Sequence, residues 1–104
     1  MDMNALMKQA QQMQEQMLQA QEEAKQLVSE ASAGGGMVTV KANGGGELVE
    51  IRIDARAIDP DDPELLGDMV LAAANEALRS ANEAVEAKLR SQLPDLGGLG
   101  IPGL

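Results

Sequence analysis

Apolar residues at the start of the chain recur at alternating spacings of three and four, through Met3, Leu6, Ala10, Met13, Met17, Ala20, Ala24, Leu27 and Ala31. That is the period of a helix packed lengthwise against another helix. The positions beside the stripe are mostly polar, as Gln9, Gln14, Gln16, Gln21, Glu23 and Glu30. Gln and Met, both good helix formers, fill the segment, and Asn4 is the expected N-cap of a helix running to Lys25 or Gln26. Such a stripe needs a cover, either the rest of its own domain or a second helix.

The period then changes to two. Val28–Ala33 alternates, Gly34-Gly35-Gly36 breaks the pattern, and Met37–Ala42 alternates again with β-branched residues. Ala31 therefore belongs to a strand, although the heptad stripe formally reaches it. Asn43-Gly44 is the dipeptide preferred in a type I′ hairpin turn. Beyond it, Glu47–Asp54 places Val49, Ile51 and Ile53 on one face and Glu50, Arg52 and Asp54 on the other, which predicts a half-buried strand. Asp59-Pro60-Asp61-Asp62-Pro63 is a turn that opens a second helix, with Asp62 at the N-cap and Pro63 at the first helical position. That helix should reach Gln92 or Leu93 and stop at Pro94. Its apolar line is Leu66, Val70, Ala73, Ala77, Ala81 and Ala84, so many alanines that backbones must approach closely. Ala74–Arg79 is echoed seven residues later by Ala81–Glu86. The expected organisation is one α+β domain over residues 1–93, then a flexible Gly/Leu/Pro-rich tail over 94–104.

Composition sharpens this picture. The 104 residues include seven Met but no Phe, Tyr or Trp, so the core of one copy is thin. With no cysteine, oligomerisation is the simplest way to thicken it. No run approaches the ~18 apolar residues of a membrane span, which points to a soluble cytoplasmic protein without a membrane partner. The formal net charge of −9 opposes non-specific attraction to nucleic acid. Enzyme chemistry finds little support: without His or Cys, the commonest general base and the thiolate nucleophile are missing. Asp59, Asp61 and Asp62 lack calcium-loop spacing and read as turn and cap residues. Neither glycine run opens a helix or precedes Lys-Ser/Thr, so neither is a phosphate loop. No catalytic residue, metal, cofactor or small-molecule substrate is expected.

Four segments together resemble the YbaB/EbfC family. They are Leu6–Gln14 (Leu-Met-Lys-Gln-Ala-Gln-Gln-Met-Gln), Ala33–Val40 with its three glycines, Gly44–Leu48, and Ile51-Arg52-Ile53-Asp54. The second helix, with Ala74-Asn75-Glu76-Ala77 after the Asp/Pro turn, is similar too. The resemblance implies a small bacterial nucleoid-associated protein: helix, three-stranded antiparallel sheet, helix, assembled as an intertwined homodimer with projecting helical arms. It implies binding to double-stranded DNA and an effect on nucleoid organisation and gene expression.

On such arms the candidate DNA-binding residues are Lys8, Lys25, Arg79, Lys88 and Arg90. Arg79 and Arg90 are three turns apart and share a face, while pairs such as Glu22–Lys25 and Glu86–Arg90 would occupy some of these bases. The expected dimer interface comprises Leu6, Met13, Met17, Val49, Ile51, Ile53, Ala77 and Ala81. Without aromatic side chains there is no stacking platform for single strands, so backbone contacts to a duplex are expected. The alternative is a prefoldin-like holdase or interaction adaptor that uses Met-rich arms for apolar partners.

Overall fold

A computed structural model describes residues 2–92. The expected tail over 94–104 lies outside the described residues. The order of elements is α1 (Met3–Gln26), β1 (Val28–Ala33), β2 (Val38–Asn43), β3 (Leu48–Ile53) and α2 (Pro63–Gln92), with one turn of 3-10 helix at Ala55–Ala57. The three strands form one antiparallel sheet in the order β1-β2-β3. This is the α+β arrangement expected from the alternating periods.

Both helix starts have a chemical cause. Asp2, not Asn4, caps α1: its carboxylate accepts the Asn4 backbone N–H at 3.0 Å. A charged acceptor at this end also meets the positive end of the helix dipole, which an Asn two residues later would not. Asp62 caps α2 by accepting the Leu65 N–H at 3.3 Å, with Pro63 at the first helical position as expected. Asp59 accepts the Asp61 N–H at 2.9 Å, so the acidic turn does serve turn and cap duty.

The two hairpins differ. Gly34, Gly35 and Gly36 all have positive φ (64°, 70° and 93°), a left-handed run that any other residue would resist. The second hairpin is not the expected type I′ turn at Asn43-Gly44, because Asn43 stays in β2 opposite Val28 with negative φ. The buried Asn43 instead builds the loop, its side-chain oxygen accepting from Gly45 N–H (3.0 Å) and Glu47 N–H (3.1 Å). Gly44 then sits hard against α1: its N–H donates to the carbonyls of Ala24 (3.0 Å) and Leu27 (2.9 Å). The hairpin thereby satisfies carbonyls that the end of α1 leaves open.

α2 lies across β1 and β2. Val38, Val40 and Ala42 of β2 are fully buried against Ala73, Ala77 and Ala81 of α2, with Ala31 and Ala33 of β1 at the margin. The alanines let helix and sheet approach closely, as their number along the helix predicts. Among the described residues, only two side chains larger than Ala are fully buried, Val38 and Val40. At roughly 1.5–3 kcal/mol for each such burial, this core is small for the chain.

β3 departs from expectation. Its register with β2 pairs Val40 with Ile51 and Val38 with Ile53, and it slips between Lys41 and Ala42, leaving Val49 as the extra residue. Ile51 and Ile53 therefore face the same side as the core, yet they lie past the edge of α2 and remain exposed. The strand forms as predicted but is not half-buried, because among the described residues no element covers it. No residue of α1 is buried either. The molecule is accordingly long, 70 × 33 × 17 Å with a radius of gyration of 20.2 Å, against about 13 Å for a compact domain of 100 residues.

Candidate nucleic-acid interface

The candidate bases sit on the two helices at different distances from the sheet. Lys25 and Lys88 lie at the seam where the end of α1 meets α2, and both are engaged. Lys25 Nζ is 3.8 Å from Glu22, and Lys88 Nζ is 3.4 Å from Glu23 across the two helices. Arg79 pairs with Glu76 at 3.1 Å. Arg90 makes no carboxylate pair with Glu86; its Nε donates to the Glu86 backbone carbonyl at 3.4 Å. Lys8 stands far out on α1, about 26 Å from Lys25 at 1.5 Å per residue.

The remaining three bases belong to the sheet and the segment after it. Glu50 takes an ion pair from Arg52 at 2.8 Å and lies 3.6 Å from Lys41. The Arg52 hydrogen bond, helped by the Lys41 charge, holds the Glu50 carboxyl below its usual range, and the same pairing raises Arg52. Arg56 binds Asp54 through Nε and a terminal nitrogen, at 3.2 and 2.9 Å. That pairing lowers the Asp54 carboxyl to about 2 and raises Arg56. Among the described residues, six of the eight bases are thus ion-paired, and Lys8 and Arg90 are the two without a carboxylate partner.

Of the residues expected at a dimer interface, six lie on open surface. Met13 and Met17 are 63% and 64% exposed, and Leu6, Val49, Ile51 and Ile53 are exposed as well. Ala77 and Ala81 are not available for that role. Both are fully buried inside the chain against β2, so they have no surface to offer a second copy. Residues absent from the expected set extend the open apolar surface: Leu48 on β3 and Met3 at the tip of the stripe. Val85 and Leu89 were also absent from the apolar line assigned to α2. They pack toward Ala20, Ala24 and Leu27 of α1, and their four-residue spacing was visible in the chain.

A family model described as the YbaB/EbfC DNA-binding family matches residues 1–96. The chain belongs to this family. It is 48% identical over 104 residues to a nucleoid-associated protein of Clostridium novyi, spanning the whole of this chain and 89% of that one. It is 52% identical to a nucleoid-associated protein of Acetivibrio thermocellus, covering 99% and 89% of the two chains. Among solved structures, an uncharacterised protein of Helicobacter pylori matches with a TM-score of 0.70 at 29% identity, over 90% of this chain and 99% of that one. The YbaB/EbfC chain described here thus has the helix, sheet, helix architecture that the resemblance implied.

Proposed function

We propose that this protein is a nucleoid-associated protein that binds duplex DNA as a homodimer, chiefly through the sugar-phosphate backbone, and so contributes to nucleoid organisation. The observation that carries the reading is the match to a DNA-binding family along residues 1–96. The geometry supplies the manner. A core whose largest fully buried side chains are Val38 and Val40, beside an exposed apolar β3, supports a second copy as the missing cover. A second copy placed against β3 pairs an otherwise open strand edge and buries Ile51 and Ile53.

Such a dimer carries four arms with few available charges. Lys8 and Arg90 of both subunits would meet phosphates without first losing a carboxylate partner, whereas Lys25, Arg79 and Lys88 must release one. With a net charge of −9 per chain, affinity is expected to be weak and confined to these arms. A gel shift with duplex DNA at increasing salt tests this. Four phosphate contacts give a slope of about −3.6 in log affinity against log salt, at 0.9 per contact. Lys8→Gln with Arg90→Gln should remove most of that slope, and adding Lys25→Gln and Arg79→Gln should abolish the shift with assembly intact. Absence of binding by the unmodified protein at low salt would reject direct DNA association and leave the Met-rich arms as a surface for protein partners.

A further inference from the structure

The Asp54 N–H donates to the Met37 carbonyl at 2.7 Å, in the same register that pairs Arg52 with Thr39 and Glu50 with Lys41. In an antiparallel ladder only alternate residues bond to a given neighbouring strand. Asp54, Arg52 and Glu50 therefore turn their backbone groups toward β2, while Ile51 and Ile53 turn theirs to the other edge of β3. Among the described residues no strand lies along that edge, since the sheet order is β1-β2-β3.

A second copy set edge to edge on β3 by a two-fold axis runs antiparallel to it and must match outward residues with outward residues. That condition leaves few registers, and the side chains choose among them. With Arg52 on the axis, Arg52 faces Arg52 and Glu50 faces Asp54. With Glu50 on the axis, Glu50 faces Glu50. With Ile53 on the axis, Ile51 falls opposite Ala55, which has already left the strand for the 3-10 turn. With Ile51 on the axis, Ile51 faces Ile51, Val49 faces Ile53, and Glu50 of each copy faces Arg52 of the other. Opposite charges directly across a sheet stabilise it and like charges destabilise it. In this sense Val49-Glu50-Ile51-Arg52-Ile53 is its own complement.

Both charges have capacity left for such a contact. Arg52 reaches Glu50 through one terminal nitrogen, and its side chain stays 66% exposed. Lys41 and Arg52 both approach Glu50 at Oε2, which leaves Oε1 to a further donor. We propose that Glu50 and Arg52 select the partner: two copies join along β3 with Ile51 on the two-fold axis, and the two intrachain Glu50–Arg52 pairs merge into one four-charge ladder across the junction. The proposal rests on the reading that a second copy covers β3, and adds which residues decide the register and the match.

Charge exchange tests the register. Dimer affinity is measured by sedimentation equilibrium for the unmodified chain, for Glu50→Lys and for Arg52→Glu, with native mass spectrometry of a 1:1 mixture of the two variants. Each variant alone should dimerise about ten-fold more weakly, because both facing pairs become like-charged. The mixture should recover the affinity as a heterodimer, in which every facing pair is again of opposite sign. The chain has no cysteine of its own, so Ile51→Cys reports the axis separately. It should form a disulfide between copies on mild oxidation, since hydrogen-bonded partners lie ~5.5 Å apart at Cα. Glu50→Cys and Arg52→Cys should cross-link more slowly. Undiminished dimerisation of either charge variant, no recovery in the mixture, or faster cross-linking through Glu50→Cys or Arg52→Cys would overturn the proposal while leaving a dimer. A monomeric unmodified chain would instead reject the second copy itself, and this register with it.

Discussion

Lys88 Nζ lies 3.4 Å from the Glu23 carboxylate and is, among the described residues, the one ion pair that ties α1 to α2. It closes the same seam in which Ala20, Ala24 and Leu27 face Val85 and Leu89. Both side chains keep about two-fifths of their exposure, at 38% and 41%, so solvent screens the attraction. A double-mutant cycle with Lys88→Gln and Glu23→Gln, followed by urea unfolding, should give a coupling of about 0.2–1 kcal/mol that shrinks as salt rises. A larger coupling insensitive to salt would mean that the pair is more enclosed than its exposure indicates.

Gly44 and Gly67 should respond to alanine in opposite directions. A Cβ at Gly44 would run into the Ala24 backbone carbonyl and the Val85 side chain, and the carbonyl cannot swing aside without breaking the end of α1. Gly44→Ala is expected to cost about 1–3 kcal/mol as an overpacked contact. Gly67 lies inside α2, where a Cβ meets nothing within 4 Å. Gly67→Ala should therefore stabilise by about 0.5–1 kcal/mol through helix propensity. Thermal and urea unfolding of the two variants provide the check.

Acid should release the Asp54–Arg56 pair in a defined window. The Asp54 carboxyl is lowered from 3.8 to about 2, first by the Arg56 side-chain hydrogen bond and then by the Arg56 backbone N–H. A depressed carboxyl contributes stability that is complete above its unfolded value and is lost as the pH falls through the folded one. The contribution is thus present at neutral pH and disappears between about pH 4 and pH 2. A carboxyl-carbon NMR titration should place Asp54 at the acid end of that window, and Asp54→Asn should flatten the pH dependence of unfolding there. A normal midpoint for Asp54 would show that the Arg56 pair does not persist in solution.

Local chemistry made most elements legible. Asp62-Pro63 marked the start of α2, the switch from period three-and-four to period two marked the end of α1, and the three-glycine run marked the first turn. What neighbours decide was not legible. Val49, Ile51 and Ile53 form the most apolar alternation in the chain, yet β2, with Val38 and Val40, holds the core, because α2 crosses that strand and stops short of β3. Alternation tells which side a residue faces, not whether anything lies there. Ala77 and Ala81 illustrate the converse: their seven-residue echo resembled a helix-pairing stripe, and they pack on the chain's own sheet. The candidate bases behaved likewise. Glu22–Lys25 was visible as a same-helix pair, but Glu23–Lys88 joins residues 65 positions apart and needed the fold to appear. Asn43-Gly44 carried a turn signal that the strand pairing of Asn43 overrode.

The last prediction follows from where the core is and is not. If β3 is covered by a second copy, charge placed at Ile51 should separate the subunits while each chain stays folded. Val38, Val40 and the α2 alanines are already buried without a partner, and Ile51 lies outside them at 47% exposure. Ile51→Lys would bury an unpaired ammonium in the assembled form, at a cost of several kcal/mol. Since each 1.4 kcal/mol is about a tenfold change in affinity, dimerisation should weaken by about a hundred-fold or more. Sedimentation equilibrium should report about twice 10.9 kDa for the unmodified protein at micromolar concentration and about 10.9 kDa for the variant. Helical circular dichroism should be largely retained, because α2 packs mainly on β1 and β2 and neither helix packs extensively on β3. An unmodified protein that sediments as a stable monomer would reject the dimer outright. A variant that still sediments at twice the chain mass would move the interface away from β3 and onto the exposed stripe of α1.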